Sequence, residues 1–99
     1  MNLQYWLRPY AEQLLALFPS RRVTSSYRSY SEQYMLYRRY LLGQSKYPAA
    51  PPGRSYHQVG RAFDVDDADR AQLVQMGLTW ESWGGTWGGR YGDPIHFEA

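Results

Sequence analysis

The chain contains no cysteine and only two histidines among its 99 residues. The absence of cysteine excludes disulfide bonds, thiolate zinc fingers and a cysteine nucleophile, so His, Asp and Glu remain as the possible metal ligands. No apolar run approaches the roughly 20 residues that a membrane-spanning helix needs. The first residues show neither a basic region nor an apolar stretch of the secretory type. We therefore expect cytoplasmic synthesis without a signal peptide.

The length fits a single domain, residues 1–99, because domains usually contain about 100–200 residues. A chain of this size buries only a modest core. Aromatic residues nevertheless make up 17% of the sequence, with ten Tyr and four Trp. This is more than a small core requires, so we expect some of these rings to face a ligand.

The net charge of +2 conceals two electrically opposite halves. Residues 1–56 carry eight basic and two acidic side chains, a net of +6, whereas residues 57–99 carry three and seven, a net of −4. One interpretation is that the halves attract each other within one fold. The other is that the acidic half holds a cation and the basic half meets an anionic partner.

The pattern of apolar residues, caps and turn residues predicts helices and strands in mixed order, which is typical of an α+β fold. The predicted helices run from Pro9 to Phe18, from a capping box at Ser29 to Gly43, and from Asp66 or Asp67 to Met76, with Gly77 just beyond the end. The predicted strands are residues 21–26, 61–66 and 94–98. Residues 44–54 and 80–92 are predicted to be loops.

Each histidine has an acidic residue nearby in sequence, His57 with Asp64 and His96 with Asp93. A hydrolytic zinc site needs three protein ligands and one open position for water, and two histidines with a carboxylate supply such a set. If the strands that contain Asp64 and His96 pair, both side chains project from one sheet face. His57 then reaches in from the preceding loop, which makes these three residues candidate ligands of one Zn²⁺.

Asp93 is the candidate general base. It lies three residues before His96, on the loop that enters the last strand, where it can approach a metal-activated water from the side. Glu81 is a rival base, but its Gly- and Trp-rich surroundings indicate a loop tip. The alternative for the whole set is that two histidines and scattered aspartates are ordinary polar residues of the surface or core.

Several blocks of the sequence match known motifs. The segment SYHQVGRAFDV, residues 55–65, is similar to S-x-H-x-x-G-x-A-x-D, and TSSYRSYSEQ, residues 24–33, is similar to T-S-x-Y-R-S…E-Q. Residues 83–85 and 93–98 are similar to W-G-G and D-x-x-H-F-E. In this order, the blocks resemble the zinc D-alanyl-D-alanine carboxypeptidases and L-alanyl-D-glutamate endopeptidases, which cut the peptide stems of bacterial peptidoglycan. The resemblance covers nearly the whole chain and is therefore specific.

The resemblance implies a hedgehog/DD-peptidase-like fold, in which a small antiparallel sheet carries the zinc site and packs against two or three helices. It implies the same three zinc ligands and the same general base, and it adds Arg28 as the group that steadies the substrate carbonyl. A fixed guanidinium aimed at developing negative charge stabilises the transition state more than the ground state. The alternative for Arg28 is a surface arginine in a salt bridge.

Ser55, Tyr27 and Trp83 are further candidate substrate-binding residues, and Ser55 is expected to be an orienting hydrogen-bond donor near His57 or the substrate. A nucleophilic serine is not expected, because both histidines are claimed by the metal and no base remains. For Trp83, as for Trp80 and Trp87, a place in the core is the alternative to a place in the cleft. Glu98 has two open roles, since it could orient a ligand histidine or pair with an arginine.

The expected function is a zinc-dependent peptidase with one Zn²⁺ that hydrolyses either the D-Ala-D-Ala or the L-Ala-D-Glu bond of the peptidoglycan stem. We expect neither a signal peptide nor a wall-binding module, which fits either a monomeric lytic enzyme of the phage endolysin type, released to the cell wall, or a cytosolic enzyme that trims recycled muropeptides. We favour the lytic role. The alternative is a non-catalytic, zinc-stabilised module that binds cell-wall peptides. Nucleic-acid binding through residues 21–39 is a weaker possibility, for which we expect little affinity.

Overall fold

Three α-helices and one four-stranded sheet form the computed structural model of the chain, which describes residues 1–99. The helices are α1 (Arg8–Leu17), α2 (Tyr30–Leu41) and α3 (Arg70–Ser82). The strands are β1 (Val23–Ser25), β2 (Ala62–Val65), β3 (Thr86–Trp87) and β4 (His96–Glu98). Short 3₁₀ turns cover Tyr56–Val59 and Gly88–Tyr91. None of the helices has the length and apolar character needed to cross a bilayer.

The sheet is antiparallel throughout, with the strand order β1-β2-β4-β3. In the central pair of strands, Phe63 lies opposite Phe97 and Asp64 lies opposite His96. Successive side chains of a strand point to opposite faces, so the two phenylalanines enter the core while Asp64 and His96 face the other side. The predicted α+β class with a small antiparallel sheet is confirmed.

The hydrophobic core lies between the sheet and the helices α1 and α3. It consists of eleven buried apolar residues: Leu3, Leu7, Ala11, Leu14, Phe63, Val65, Leu73, Met76, Trp80, Trp87 and Phe97. Trp80 packs edge-on against Phe63, with ring centroids 5.3 Å apart. Its Nε1 donates to the Glu98 carbonyl at 2.9 Å, and Nε1 of Trp87 donates to the Pro94 carbonyl at 2.8 Å. Both buried indoles therefore have their polar group satisfied, and both belong to the core.

The third helix differs from its sequence prediction at both ends. It begins after Asp69, whose carboxylate accepts hydrogen bonds from the backbone of Ala71 and Gln72, and not after Asp66 or Asp67. It continues to Ser82, so Gly77 lies inside the helix instead of ending it. A Cβ atom at Gly77 would lie 2.1 Å from the Trp87 ring. The glycine therefore permits close packing and does not terminate the helix.

The strand β3 lies inside the segment that the sequence predicts to be a loop. It contains only Thr86 and Trp87, and it pairs with β4 so that Trp87 lies opposite Phe97. Two residues are too few to show an alternating pattern. The prediction missed this strand because only pairing with β4 defines it.

The opposite charges of the two halves meet within the fold. Three ion pairs join residues of the first half to aspartates of the second: Arg21–Asp66, Arg28–Asp64 and Lys46–Asp67. Two of the acidic residues near the start of α3 are thus engaged by cations, and a third caps the helix. This arrangement accounts for part of the charge asymmetry through attraction within one domain.

Candidate metal centre

The structure brings the three predicted ligands together on the sheet face opposite the core. Asp64 and His96 are direct partners in the pairing of β2 and β4, and His57 enters from the 3₁₀ turn before β2. Nε2 of His57 lies 3.3 Å from both Nδ1 of His96 and Oδ1 of Asp64, and these last two atoms lie 3.1 Å apart. Three donor atoms therefore form a nearly equilateral triangle.

The triangle has the size that a tetrahedral zinc ion requires. With metal–ligand distances of about 2.0–2.1 Å and tetrahedral angles, neighbouring donor atoms lie about 3.3 Å apart. The observed separations of 3.1–3.3 Å match this value. Two imidazoles and one carboxylate are also a donor set that suits zinc and leaves one coordination position for water or substrate. The residues present fit the ion.

Each histidine is oriented by a hydrogen bond from its other ring nitrogen. Nδ1 of His57 lies 2.6 Å from the Ser26 carbonyl oxygen, and Nε2 of His96 lies 2.7 Å from Oε1 of Glu98. With a proton on each of these outer nitrogens, the inner nitrogens present lone pairs to a metal. The structure thereby assigns Glu98 to the orientation of His96, a role that the sequence left open.

The site strongly favours a carboxylate at Asp64. Burial opposes ionisation, but hydrogen bonds from His57 and His96 outweigh it and hold the pKa of Asp64 well below its usual range. Burial likewise lowers the pKa of His96, yet its hydrogen bonds to Asp64 and Glu98 dominate and raise the pKa to about 9. In the metal-free protein, His96 therefore carries a proton at neutral pH, and a metal ion takes the place of that positive charge.

Asp93 lines the same cleft as the three candidate ligands. Burial raises its pKa to about 6, and the nearby Asp64 charge adds to the effect. Its backbone is held by a hydrogen bond of 2.9 Å to the Gly88 carbonyl. A Cβ at Gly88 would lie 2.3 Å from the Asp93 carbonyl oxygen and 2.8 Å from Cβ of His96, so only glycine lets this turn pack against the site.

Arg28 is held in place by three side chains. Its Nε donates to Ser25 at 2.9 Å, one terminal nitrogen donates to Gln33 at 3.1 Å, and the other donates to Oδ2 of Asp64 at 2.7 Å. Gln33 is fully buried and donates in turn to the Ala50 carbonyl at 2.8 Å. A guanidinium has five N–H donors, so two remain for a substrate. The sequence gives no indication of this role for Gln33, although Gln33 is the last residue of one of the matched motifs.

The cleft in front of the site has a volume of about 620 Å³. Besides the metal-site residues, it is lined by α2, the proline-containing loop and several tyrosines, including Tyr40, Tyr47, Tyr56 and Tyr91. Ser55 also lines it, and its hydroxyl accepts a hydrogen bond of 3.2 Å from the backbone of His57. The serine thus caps the turn that carries a candidate ligand, as an acceptor where the sequence predicts a donor.

Two residues predicted to contact the substrate lie outside this cleft. Tyr27 is half exposed beside the N-terminal segment. Trp83 lines a separate apolar pocket with Trp6 and Tyr10, and it packs edge-on against Trp80 at 6.3 Å. The unexpected length of α3 places Trp83 there, because the residue follows directly on that helix.

Glu81, the rival general base, also lies away from the site. Its two carboxylate oxygens accept hydrogen bonds from Arg90 at 2.7 and 2.9 Å. This bidentate pair occupies the carboxylate, and Glu81 does not line the cleft. Among the acidic residues outside the ligand set, Asp93 and Glu98 are the two that face the cleft.

Most of the chain matches the model of one known protein family. Residues 11–89, about four fifths of the chain, match the model of the family described as VanY, D-alanyl-D-alanine carboxypeptidase. The chain belongs to this family. The match confirms the predicted family and enzyme class. It includes His57 and Asp64 and ends before Asp93 and His96. No curated protein sequence matches the chain.

Solved structures share the fold of this VanY-family chain at low sequence identity. The vancomycin resistance D,D-pentapeptidase VanY of a VanB-type cassette, in complex with Zn(II), has a TM-score of 0.74 and 16% identity over 97% of this chain and 71% of its own. The LD-carboxypeptidase LdcB has a TM-score of 0.70 and 21% identity over 98% of this chain and 65% of its own.

A third similar structure is the L,D-carboxypeptidase DacB from Streptococcus pneumoniae. It has a TM-score of 0.64 and 21% identity over 92% of this chain and 62% of its own. The chain therefore spans roughly two thirds of the length of these structures. At these identities, the comparison establishes the fold.

Proposed function

We propose that this VanY-family chain is a zinc-dependent carboxypeptidase that acts on the peptide stems of bacterial peptidoglycan. The observation that carries the proposal is the donor triangle of His57, Asp64 and His96, with sides of 3.1–3.3 Å. Asp93 stands in the same cleft as a carboxyl with a raised pKa. A purely structural zinc site would need neither an open cleft nor this carboxyl.

His57, Asp64 and His96 would hold the zinc ion. A bound zinc polarises the scissile carbonyl and makes a water molecule acidic enough to react near neutral pH. Asp93 accepts the proton of the attacking water and delivers it to the departing amine. Burial of Asp93 suits this task, because it raises the pKa of the carboxyl toward neutral pH, and a base whose pKa lies closer to the working pH binds a proton more readily.

Arg28 would stabilise the negative charge that develops on the carbonyl oxygen. Its hydrogen bonds to Ser25, Gln33 and Asp64 fix the guanidinium, and two N–H donors remain available. Because the group is held before the substrate arrives, little reorganisation is needed as charge develops. The salt bridge to Asp64 is thus compatible with a catalytic role.

The bond that we propose is the one before a C-terminal D-alanine. The family model is that of D-alanyl-D-alanine carboxypeptidases, and a related structure, VanYB, is in complex with D-Ala-D-Ala. An internal cut at L-Ala-D-Glu, as in an endopeptidase, is the competing choice. The carboxypeptidase reaction releases free alanine, whereas the internal cut releases a shortened stem with a new amino terminus.

We also propose that the enzyme acts on the cell wall after release from the cytoplasm, as an endolysin does. Support comes from the net charge of +6 on residues 1–56, which favours contact with an anionic wall. Removal of a terminal D-alanine leaves the cross-links of the wall intact, so an endolysin-like lytic role also requires the internal cut at L-Ala-D-Glu. Purified protein that makes this cut should lower the turbidity of a suspension of sacculi. Removal of terminal D-alanine without loss of turbidity would restrict the role to trimming of the stem.

The proposed function is tested with a synthetic pentapeptide stem that ends in D-Ala-D-Ala. Zinc-loaded protein should release D-alanine, detected by mass spectrometry, and a chelator or His57→Ala should abolish the release. Glu81→Gln serves as the matched control, because this carboxylate binds Arg90 outside the cleft. Zinc binding without any cleavage would instead support a non-catalytic module that binds wall peptides.

A further inference from the structure

Arg54 lines the catalytic cleft and is exposed to solvent. It takes part in none of the ion pairs of the structure, and its guanidinium has no hydrogen-bond partner in the chain. Most exposed arginines of a surface need no explanation. This one is a free cation inside the cleft that would receive the substrate.

The other arginine of the cleft is already engaged. Arg28 forms an ion pair with Asp64, and the proposed function uses its two remaining N–H donors to stabilise the carbonyl oxygen. Lys46, which lies on the neighbouring loop, is held by Asp67 and does not line the cleft. Arg54 is therefore the arginine of the cleft that has no acidic partner in the chain.

The backbone around Arg54 is well anchored although its side chain is free. The Arg54 N–H donates to the Pro51 carbonyl at 3.0 Å, and the Gly53 N–H donates to Oε1 of Gln58 at 2.7 Å. The next residue, Ser55, caps the turn that carries His57. The anchored backbone therefore fixes the point from which the guanidinium extends, three residues from a candidate ligand, although the side chain itself still loses rotamer freedom when it binds.

The charged residues that line the cleft indicate which group of the substrate would bind Arg54. The acidic residues Asp64, Asp93 and Glu98 all lie around the candidate metal site, where Arg28 and a bound zinc ion would balance their charge, whereas Arg54 has no acidic partner in the chain. A guanidinium matches a carboxylate in geometry and charge, through two parallel N–H···O hydrogen bonds. A carboxylate on the peptide would supply the partner that Arg54 lacks.

We propose that Arg54 binds a carboxylate of the stem peptide. The inference rests on the proposed function. Two carboxylates are available in such a substrate: the C-terminal one and the free α-carboxylate of a γ-linked D-glutamate. They share the same chemistry, and substrates that differ in one of them at a time distinguish the two.

The test compares pentapeptide stems with γ-linked D-glutamate or its α-amide, both ending in a free carboxylate. For Arg54→Met, KM should rise about fivefold on the substrate whose carboxylate it binds, with kcat nearly unchanged, because exposed ion pairs are modest. If the γ-linked glutamate is the partner, the variant loses its preference for the acidic stem. If the terminal carboxylate is the partner, KM rises equally on both stems.

Two further variants serve as controls. Arg54→Lys retains the charge and should restore most of the affinity. Arg39→Met removes an exposed, unpaired arginine outside the cleft and should leave KM as in the wild type. If KM of Arg54→Met matches that of Arg39→Met on both stems, the proposal is overturned.

The experiment distinguishes a wrong assignment of the Arg54 binding site, called the subsite below, from a wrong assignment of the function. If zinc-loaded wild-type protein cleaves neither stem, the proposed function fails. Binding of uncleaved peptides to the metal-free protein, measured by calorimetry, then tests Arg54 independently. Weaker binding of Arg54→Met than of Arg39→Met supports the subsite, and equal binding overturns it.

Discussion

Oε1 of Glu98 lies 2.7 Å from Nε2 of His96, on the side of the ring that faces away from the candidate metal position. Both residues belong to β4 and point to the same face of the sheet, since they are two positions apart. Burial opposes the charge on Glu98, but the hydrogen bond to His96 prevails and lowers its pKa. The carboxylate therefore orients the imidazole and increases its strength as a ligand.

Removal of this carboxylate should weaken zinc binding. For Glu98→Ala we expect the affinity to fall roughly 10- to 100-fold, as is typical when the group behind a ligand histidine is lost. Competition with a chromophoric chelator measures the change. Glu98→Gln, which keeps an oxygen acceptor but no charge, should lie between the wild type and the alanine variant. An unchanged affinity in Glu98→Ala would contradict the assigned role.

Zinc should stabilise the folded chain. At a free zinc concentration of 100 times Kd, binding adds about 2.7 kcal/mol to the free energy of unfolding. For a domain of this size, Tm should then rise by about 10 °C or more. Calorimetric scans with and without chelator measure the shift, and His57→Ala should remove it. The same shift in His57→Ala would place the zinc elsewhere.

The carboxyl of Asp93 should titrate near pH 6 in the metal-free protein, since burial raises its pKa to about 6. A protonated Asp93 cannot accept a proton from water, so the activity of the zinc-loaded enzyme should fall as the solution becomes more acidic than the pKa that Asp93 has with zinc bound. Carbon-13 NMR of the side-chain carboxyl measures the pKa, and Asp93→Asn identifies the signal. Added zinc should lower the value, because a nearby cation favours the carboxylate. Titration at the ordinary pH of about 4 would show that the group is solvated.

Loss of the guanidinium at Arg28 should reduce the chemical step more than binding. Removal of a donor to a developing oxyanion typically lowers kcat about 10²- to 10³-fold. For Arg28→Lys we expect such a loss, because an ammonium cannot keep the hydrogen bonds to Ser25, Gln33 and Asp64 together. Zinc affinity, measured in parallel, should change far less. A rise in KM with kcat unchanged would indicate a role in ground-state binding only.

Alanine at Gly77 should destabilise the fold, although the same change inside a helix ordinarily stabilises it by about 1 kcal/mol. The added Cβ would overlap the Trp87 ring, and overpacking of this kind costs about 1–3 kcal/mol. Urea unfolding measures the difference. Gln75→Ala, at an exposed position of the same helix, should change stability by less than about 0.5 kcal/mol.

Much of the candidate site could be predicted from the sequence because its determinants are local. Asp64 and His96 stand in short strands whose alternation fixes which side chains share a face. The capping box of Ser29 and Glu32 is present as predicted, since its two hydrogen bonds depend on a spacing of three residues. The choice of ligand types followed from chemistry, because a chain without cysteine has few other donors for zinc.

Other features depended on contacts between residues that are distant in the sequence. The glycine at position 77 lies inside α3 because the Trp87 ring packs against it, and no local pattern in the sequence indicates this contact. The sequence left Trp83 open between the cleft and the core, and the packing of α3 places it against Trp80, outside the cleft. Neither the link from Gln33 to Arg28 nor the isolation of Arg54 in the cleft has a signal in local spacing.

The sequence by itself determined which residues can bind a metal, the order of the main elements and the family, because these follow from residue chemistry, short-range periodicity and motif order. Tertiary structure alone decided that the three donors stand 3.1–3.3 Å apart, that Glu98 turns toward His96, and which aromatic rings fill the core. Distances between side chains far apart in the chain depend on how the sheet and helices pack, and packing is a property of the whole fold.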